Sequence, residues 1–127
     1  ILSLLNEIRD TPARRRVSGG RCEVRGIAHI TGGGLPGNVP RILPKDCAAA
    51  IDMKAWKRPD IFKFLQEAGN VGEEEMRNVF NLGIGLVLVT DKKSVNPLMQ
   101  QIADFGEQAY EIGEVRPRKG SEEIVFI

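Results

Sequence analysis

A strand that runs into three glycines and then two prolines leaves the backbone few options, and residues 22–44, CEVRGIAHITGGGLPGNVPRILP, have that form. The β-rich opening predicts a strand over 22–30. Gly32, Gly33 and Gly34 then permit a sharp turn, because no Cβ restricts the backbone there. Pro36 suits the first turn of a helix, where its missing N–H is not needed, and Pro40 predicts a kink or an end to that helix. A strand must hand over to a helix here within a few residues.

The rest of the 127-residue chain continues that alternation. Leu2, Leu5 and Ile8 lie at helical spacing and predict a helix over 1–9. DTPARRRVSGGR (10–21) reads as a flexible loop whose arginines either attract phosphate or lie solvated. CAAAID (47–52) reads as a short buried strand. RPDIFKFLQEAG (58–69) reads as a helix with Asp60 as N-cap, an apolar stripe of Ile61, Phe64, Leu65 and Ala68, and a stop at Gly69. GEEEMRNVFNLG (72–83) predicts a second helix, with acids in its first turn. IGLVLVT (84–90) is apolar throughout and predicts a central strand buried on both faces. SVNPLMQQIADFG (94–106) predicts a helix closed by Gly106, and strands at 108–116 and 122–127 flank the turn PRKGS. This order predicts a sheet with helices packed on it, α/β or α+β, in a single domain over 1–127.

The formal net charge of +1 gives no global pull toward nucleic acid or a membrane surface, and neither is expected as a partner. No apolar run approaches the roughly 20 residues that span a bilayer. ILSLLNEI (1–8) lacks the basic leader of a signal peptide, and a start at Ile1 inside a helical pattern reads as a fragment of a longer chain. One histidine and two unpaired cysteines, Cys22 and Cys47, do not make a zinc site, and both thiols read as the reduced residues of a cytoplasmic protein. Glu73, Glu74 and Glu75 suit a helix's first turn without a metal.

Two stretches could carry chemistry. HITGGGLPGNVPR either brings backbone N–H groups close to an anion or forms a tight turn with no ligand. It is neither a P-loop nor GxGxxG. His29 can serve as acid, base or donor, and Arg41 can pair with phosphate as a fork; both could equally be ordinary strand and helix residues. In FNLGIGLVLV, Asn81, Gly83 and Gly85 sit where a helix gives way to a strand, as a close-approach point or a simple helix cap. Trp56 either covers the core edge or offers a stacking face.

GIAHITGGGLPGNVPRILP, IFKFLQEAGNVGEEEMRNVFNLGIGLVLV and EIGEV, in order from Gly26 to Val115, resemble the C-terminal half of the phosphoribosylformylglycinamidine cyclo-ligase family, the AIR synthetases. The resemblance implies an ATP-dependent ligase of purine biosynthesis that closes the imidazole ring of formylglycinamidine ribonucleotide. It implies a homodimer of two-half subunits and, for this half, an α+β fold in α/β/α layers, a mixed sheet with helices on both faces. ATP and Mg²⁺ are held mainly by an N-terminal half that this sequence does not contain, and the substrate is a phosphoribosyl small molecule. On this sequence, Thr31, Gly32, Gly33 and Gly34 would line the cleft near a phosphate. His29, as the catalytic candidate, and Asn38 would touch substrate or its phosphorylated intermediate, with Arg41 beside them. Asn81, Gly83 and Gly85 would form the opposing wall. Valine at Gly33 is expected to block anion approach with little loss of fold. The fragment is expected to be inactive alone. A related synthetase of the same architecture, such as selenophosphate synthetase, and a stand-alone ligand-binding or interaction module are the other readings.

Overall fold

The computed structural model describes residues 22–127, so the helix expected over 1–9 and the loop expected over 10–21 lie outside the described residues. In chain order the elements are β1 (Val24–His29), α1 (Gly34–Asn38), a 3-10 turn (Val39–Ile42), β2 (Cys47–Ile51), α2 (Asp60–Gly69), α3 (Glu73–Val79), β3 (Leu86–Thr90), a second 3-10 turn (Lys92–Ser94), α4 (Val95–Asp104), β4 (Gly113–Pro117) and β5 (Ile124–Phe126). The α+β class that the resemblance implies holds. Pro40 acts as anticipated: α1 stops at Asn38 and a 3-10 turn takes over, with the proline in its first positions, where no N–H is needed.

The strands form two sheets among the described residues, β1–β3 and β4–β2–β5. The second is mixed. β2 pairs antiparallel with β4, Ala49 opposite Val115, and parallel with β5, Ala50 opposite Val125. The small side chains of CAAAI let β2 take this middle position, and Ala48 to Ile51 are all buried. β3 differs from expectation. Among the described residues its one neighbour is β1, and all five of its residues are half-buried. An unbroken apolar run shows that a strand is covered, but not how many strands flank it.

Helix ends also moved. Pro59, not Asp60, is the N-cap of α2, and Asp60 instead supplies first-turn negative charge. Asn70, with φ 49°, takes the left-handed C-cap position assigned to Gly69. The stripe on α2 is largely solvent-facing, with Ile61 at 56% and Phe64 at 65% exposure. α3 ends at Val79 rather than 83, because Phe80 is extended and Leu82 turns at φ 53°.

The described residues fall into two compact units. The larger comprises 26–89 and 112–127. Its core joins Ala28 and Ile30 of the first sheet's side to Leu35, Val39, Ile51, Trp56 and Ile84. The smaller includes residues 22–25 and 90–111. There Asp91 Oδ1 accepts from Ser94 N at 3.0 Å ahead of α4, and Leu98 is buried. Gly106 closes α4 as expected: Gly106 N donates to Ala103 O and Glu107 N to Ile102 O, the paired bonds of a Schellman motif.

Candidate functional site

β1 delivers the chain to the glycine turn. Ile30, just past its end, is buried and donates its N–H to Gly85 O at 3.0 Å, which ties the turn's start to the residue before β3. Gly33 and Gly34 then have φ of 96° and 59°, a region that side-chain-bearing residues rarely enter. A Cβ on Gly34 would lie 2.0 Å from Arg77 O and 2.9 Å from Phe80 O. The turn is therefore pressed onto the last carbonyls of α3. Gly32 has open space around it. The Gly32 and Gly33 amides donate to no carbonyl among the described residues, whereas Gly34 N is bound to Thr31 O at 3.1 Å.

Asn38 pins this turn from within. Its Nδ2 donates to Gly34 O at 2.7 Å and lies 3.3 Å from Gly32 O and 3.4 Å from Thr31 O. It is 5% exposed, so its NH₂ serves the loop's own carbonyls rather than open solvent. Valine at Gly33 would strain the backbone at φ 96°, which corrects the expectation of little loss of fold.

The facing wall is the turn after α3. Asn81 Oδ1 accepts from Gly83 N at 2.9 Å. Leu82 is 1% exposed, and its carbonyl accepts from the Trp56 indole Nε1 at 2.9 Å. Gly83 has φ 102°, and a Cβ there would sit 2.6 Å from Pro59 Cδ. Between the two turns lies an open cleft of about 190 Å³, lined by Ile30, Thr31, Phe62, Val79, Phe80 and Asn81. The Phe62 and Phe80 rings meet at 5.8 Å, tilted by 58°.

The cleft thus brings Thr31 and Asn81 together, two residues far apart in sequence. Gly32, Gly33 and Gly34 continue the Thr31 side, and Gly83 and Gly85 back the Asn81 side. His29 at the end of β1 and Arg41 on the 3-10 turn are exposed, and neither is among the lining residues. Phe62, Val79 and Phe80 escaped the sequence reading, because an apolar helix position looks the same facing a core or a cleft. Trp56 takes the core-covering role: it is 6% exposed, and its indole N–H needed the buried partner it has found.

An ion-pair cluster braces the helices that supply these residues. Arg58 Nη1 donates to Glu73 Oε2 at 3.0 Å, and its Nη2 contacts Glu73 Oε1. Gln66 of α2 donates to the same carboxylate at 3.1 Å. Arg77 Nε stands 3.5 Å from Glu73 Oε1, an ion pair without hydrogen-bond alignment, and its guanidinium lies 5.0 Å over the Phe126 ring. The Arg58 hydrogen bond holds the Glu73 carboxyl down at about 2 against the opposing effect of burial, with help from Gln66 and Arg77. Arg58 is correspondingly raised, chiefly by its hydrogen bond to Glu73. Of the three consecutive acids, Glu73 is therefore a structural clip. Elsewhere, Cys22 and Cys47 are free, half-buried thiols, and burial and Asp46 push the Cys47 thiol up. Among the described residues no helix is long and apolar enough to cross a membrane.

Comparison with known proteins adds an independent line. A family model described as "AIR synthase related protein, C-terminal domain" matches residues 11–126. A phosphoribosylformylglycinamidine cyclo-ligase of Trichlorobacter lovleyi is 48% identical over 82% of this chain and 30% of its own length. That of Geotalea daltonii is 44% identical over 91% of this chain and 30% of its own. That of Sorangium cellulosum is 51% identical over 72% and 26%. The chain matches about three-tenths of the length of these relatives, and both turns and the cleft fall inside the matched residues.

Proposed function

Since the chain belongs to the family of AIR synthase related proteins, to their C-terminal domain, we propose that it acts as the C-terminal domain of an ATP-dependent cyclo-ligase. The reaction would close the imidazole ring of formylglycinamidine ribonucleotide and give aminoimidazole ribonucleotide. The observation that carries this reading is the cleft in which Thr31 and Asn81 face each other beside the Gly33–Gly34 turn.

The cleft's own chemistry is hydrogen-bond donation. Thr31 offers a hydroxyl, Gly32 and Gly33 offer amides with no acceptor among the described residues, and Asn81 offers its NH₂. Fixed donors of this kind suit phosphate or developing negative charge, because they need no reorganisation when that charge arrives. Phe62, Val79 and Phe80 supply an apolar wall that would limit water around the ligand. His29 and Arg41, both exposed, would reach a ligand only where it extends beyond the lining residues.

The same lining residues include no carboxylate, so they do not fit Mg²⁺, which demands oxygen ligands of that kind. We therefore assign ATP and its metal to the N-terminal half of a complete enzyme. We place that enzyme in the cytoplasm as a homodimer, on the strength of the family resemblance. The test is calorimetric titration of the 127-residue chain with formylglycinamidine ribonucleotide and, separately, with Mg-ATP. Binding of the ribonucleotide alone supports the assignment. Binding of ATP alone, or of neither, overturns it.

A further inference from the structure

Trp56 lies outside the cleft, yet the position of Asn81 within it runs through the indole. Leu82 is one of only two non-glycine residues with positive φ among the described residues, at φ 53°, and it is fully packed. Asn70, the other, is an exposed helix cap, of a residue type that tolerates this conformation. A leucine does not, and needs its surroundings to hold it there. Two contacts do so. The Trp56 Nε1–H donates to Leu82 O at 2.9 Å across 26 residues of sequence, and the Pro59 ring occupies the space beside Gly83. With the turn held, Gly83 N–H reaches Asn81 Oδ1 at 2.9 Å.

That last bond settles which end of the Asn81 amide is free. Its partner is an N–H, so the atom facing it must be the oxygen. The NH₂ is left for the cleft, which Thr31 also lines. We infer that Trp56 is a positioning residue that, through the Leu82–Gly83 turn, orients Asn81 so that the cleft presents a donor and selects ligands with acceptor oxygens, carbonyl or phosphate. This inference rests on the proposed binding role of the cleft and adds the residue that sets its polarity.

The experiment compares the 127-residue chain with Trp56→Phe and Asn81→Asp by amide hydrogen exchange and by calorimetry with formylglycinamidine ribonucleotide. Asn81→Asp keeps the acceptor for Gly83 N–H and replaces the NH₂ by an oxygen. Gly83 protection is expected to persist while affinity falls about tenfold or more, the loss typical of a donor turned into a repelling acceptor. Trp56→Phe keeps most of the ring and removes the N–H. Exchange at Gly83 is expected to rise about tenfold and affinity to drop, with Ala50 in the β2 ladder protected as before to show that the fold is retained. Unchanged Gly83 exchange in Trp56→Phe overturns the positioning role, as does loss of protection at Ala50 to the same extent as at Gly83. Undiminished affinity in Asn81→Asp overturns the donor assignment. If the unsubstituted chain does not bind the ribonucleotide, the proposed function falls and the ligand selection with it, while Gly83 exchange still decides whether Trp56 holds the turn.

Discussion

At the residue scale, two of the three consecutive glycines differ in what they do. Gly34 carries φ 59° and the closest backbone approach, with Arg77 O only 2.0 Å from where its Cβ would be. Gly34→Ala must therefore displace α3 or the turn, and a loss of roughly 2–4 kcal/mol is expected in urea unfolding, from overpacking added to backbone strain. Gly32 has open space and no positive φ, so Gly32→Ala should change stability by less than about 0.5 kcal/mol. Equal losses in the two variants would contradict this division. Asn38→Ala removes the amide that gathers the loop carbonyls and should cost about 1–2 kcal/mol by the same assay. The glycine run was legible as a sharp strand-to-helix turn. Which glycine serves packing and which stays open was not, because that depends on where α3 ends, some forty residues later. Asn38 was legible as polar and near the loop, but its inward direction follows from burial alone.

At the scale of elements, α2 and α3 are joined through one carboxylate. Glu73 takes hydrogen bonds from Arg58 and Gln66, and its carboxyl is held at about 2 against an ordinary 4.5. A depressed carboxyl adds stability that is fully present above its unfolded value and is lost as pH falls through its folded one. The window here runs from 4.5 down to about 2. Glu73→Gln should lower stability by about 1 kcal/mol at neutral pH, a value already reduced for the solvent screening of a half-exposed pair. Its urea midpoint should converge with that of the unsubstituted chain as pH approaches 2, and parallel profiles across that window would show that Glu73 is not the group involved. Periodicity exposed the amphipathic pattern of α2 without revealing what its stripe faces. Ile61 and Phe64 are mostly exposed, while Met76 on the shorter α3 is fully buried. Phe64→Ser should accordingly cost under about 0.5 kcal/mol and Met76→Ala about 2–5 kcal/mol. The end of α3 was misjudged for a related reason: FNLG has no residue that forbids helix, and the turn at Leu82 depends on Trp56 and Pro59 from a distant segment.

At the scale of the whole molecule, alternation of strand and helix patterns was enough for a sheet with helices packed on it, α/β or α+β, since each such pattern needs a layer to cover it. The separation into two sheets was not legible, because strand partners are chosen by long-range pairing that a local pattern does not encode. The functional argument has the same form. The chain matches about 30% of the length of its relatives in Trichlorobacter and Geotalea, and its cleft is lined by donors and apolar groups without a carboxylate. Phosphoryl transfer from ATP needs a metal to neutralise the charge on the phosphates and groups that align the nucleophile. These lining residues can recognise an anion but cannot hold that metal. Two outcomes are expected of the isolated chain. Its affinity for formylglycinamidine ribonucleotide should be the same in Mg²⁺ and in a chelator, because hydrogen-bond donors are proposed to bind the phosphate directly. It should also release no ADP from ATP when the ribonucleotide is added, since activation is proposed to belong to the N-terminal half. Ribonucleotide-dependent ADP release would place the ATP chemistry within these 127 residues, and affinity that vanishes with the metal would place a cation between the phosphate and the glycine turn.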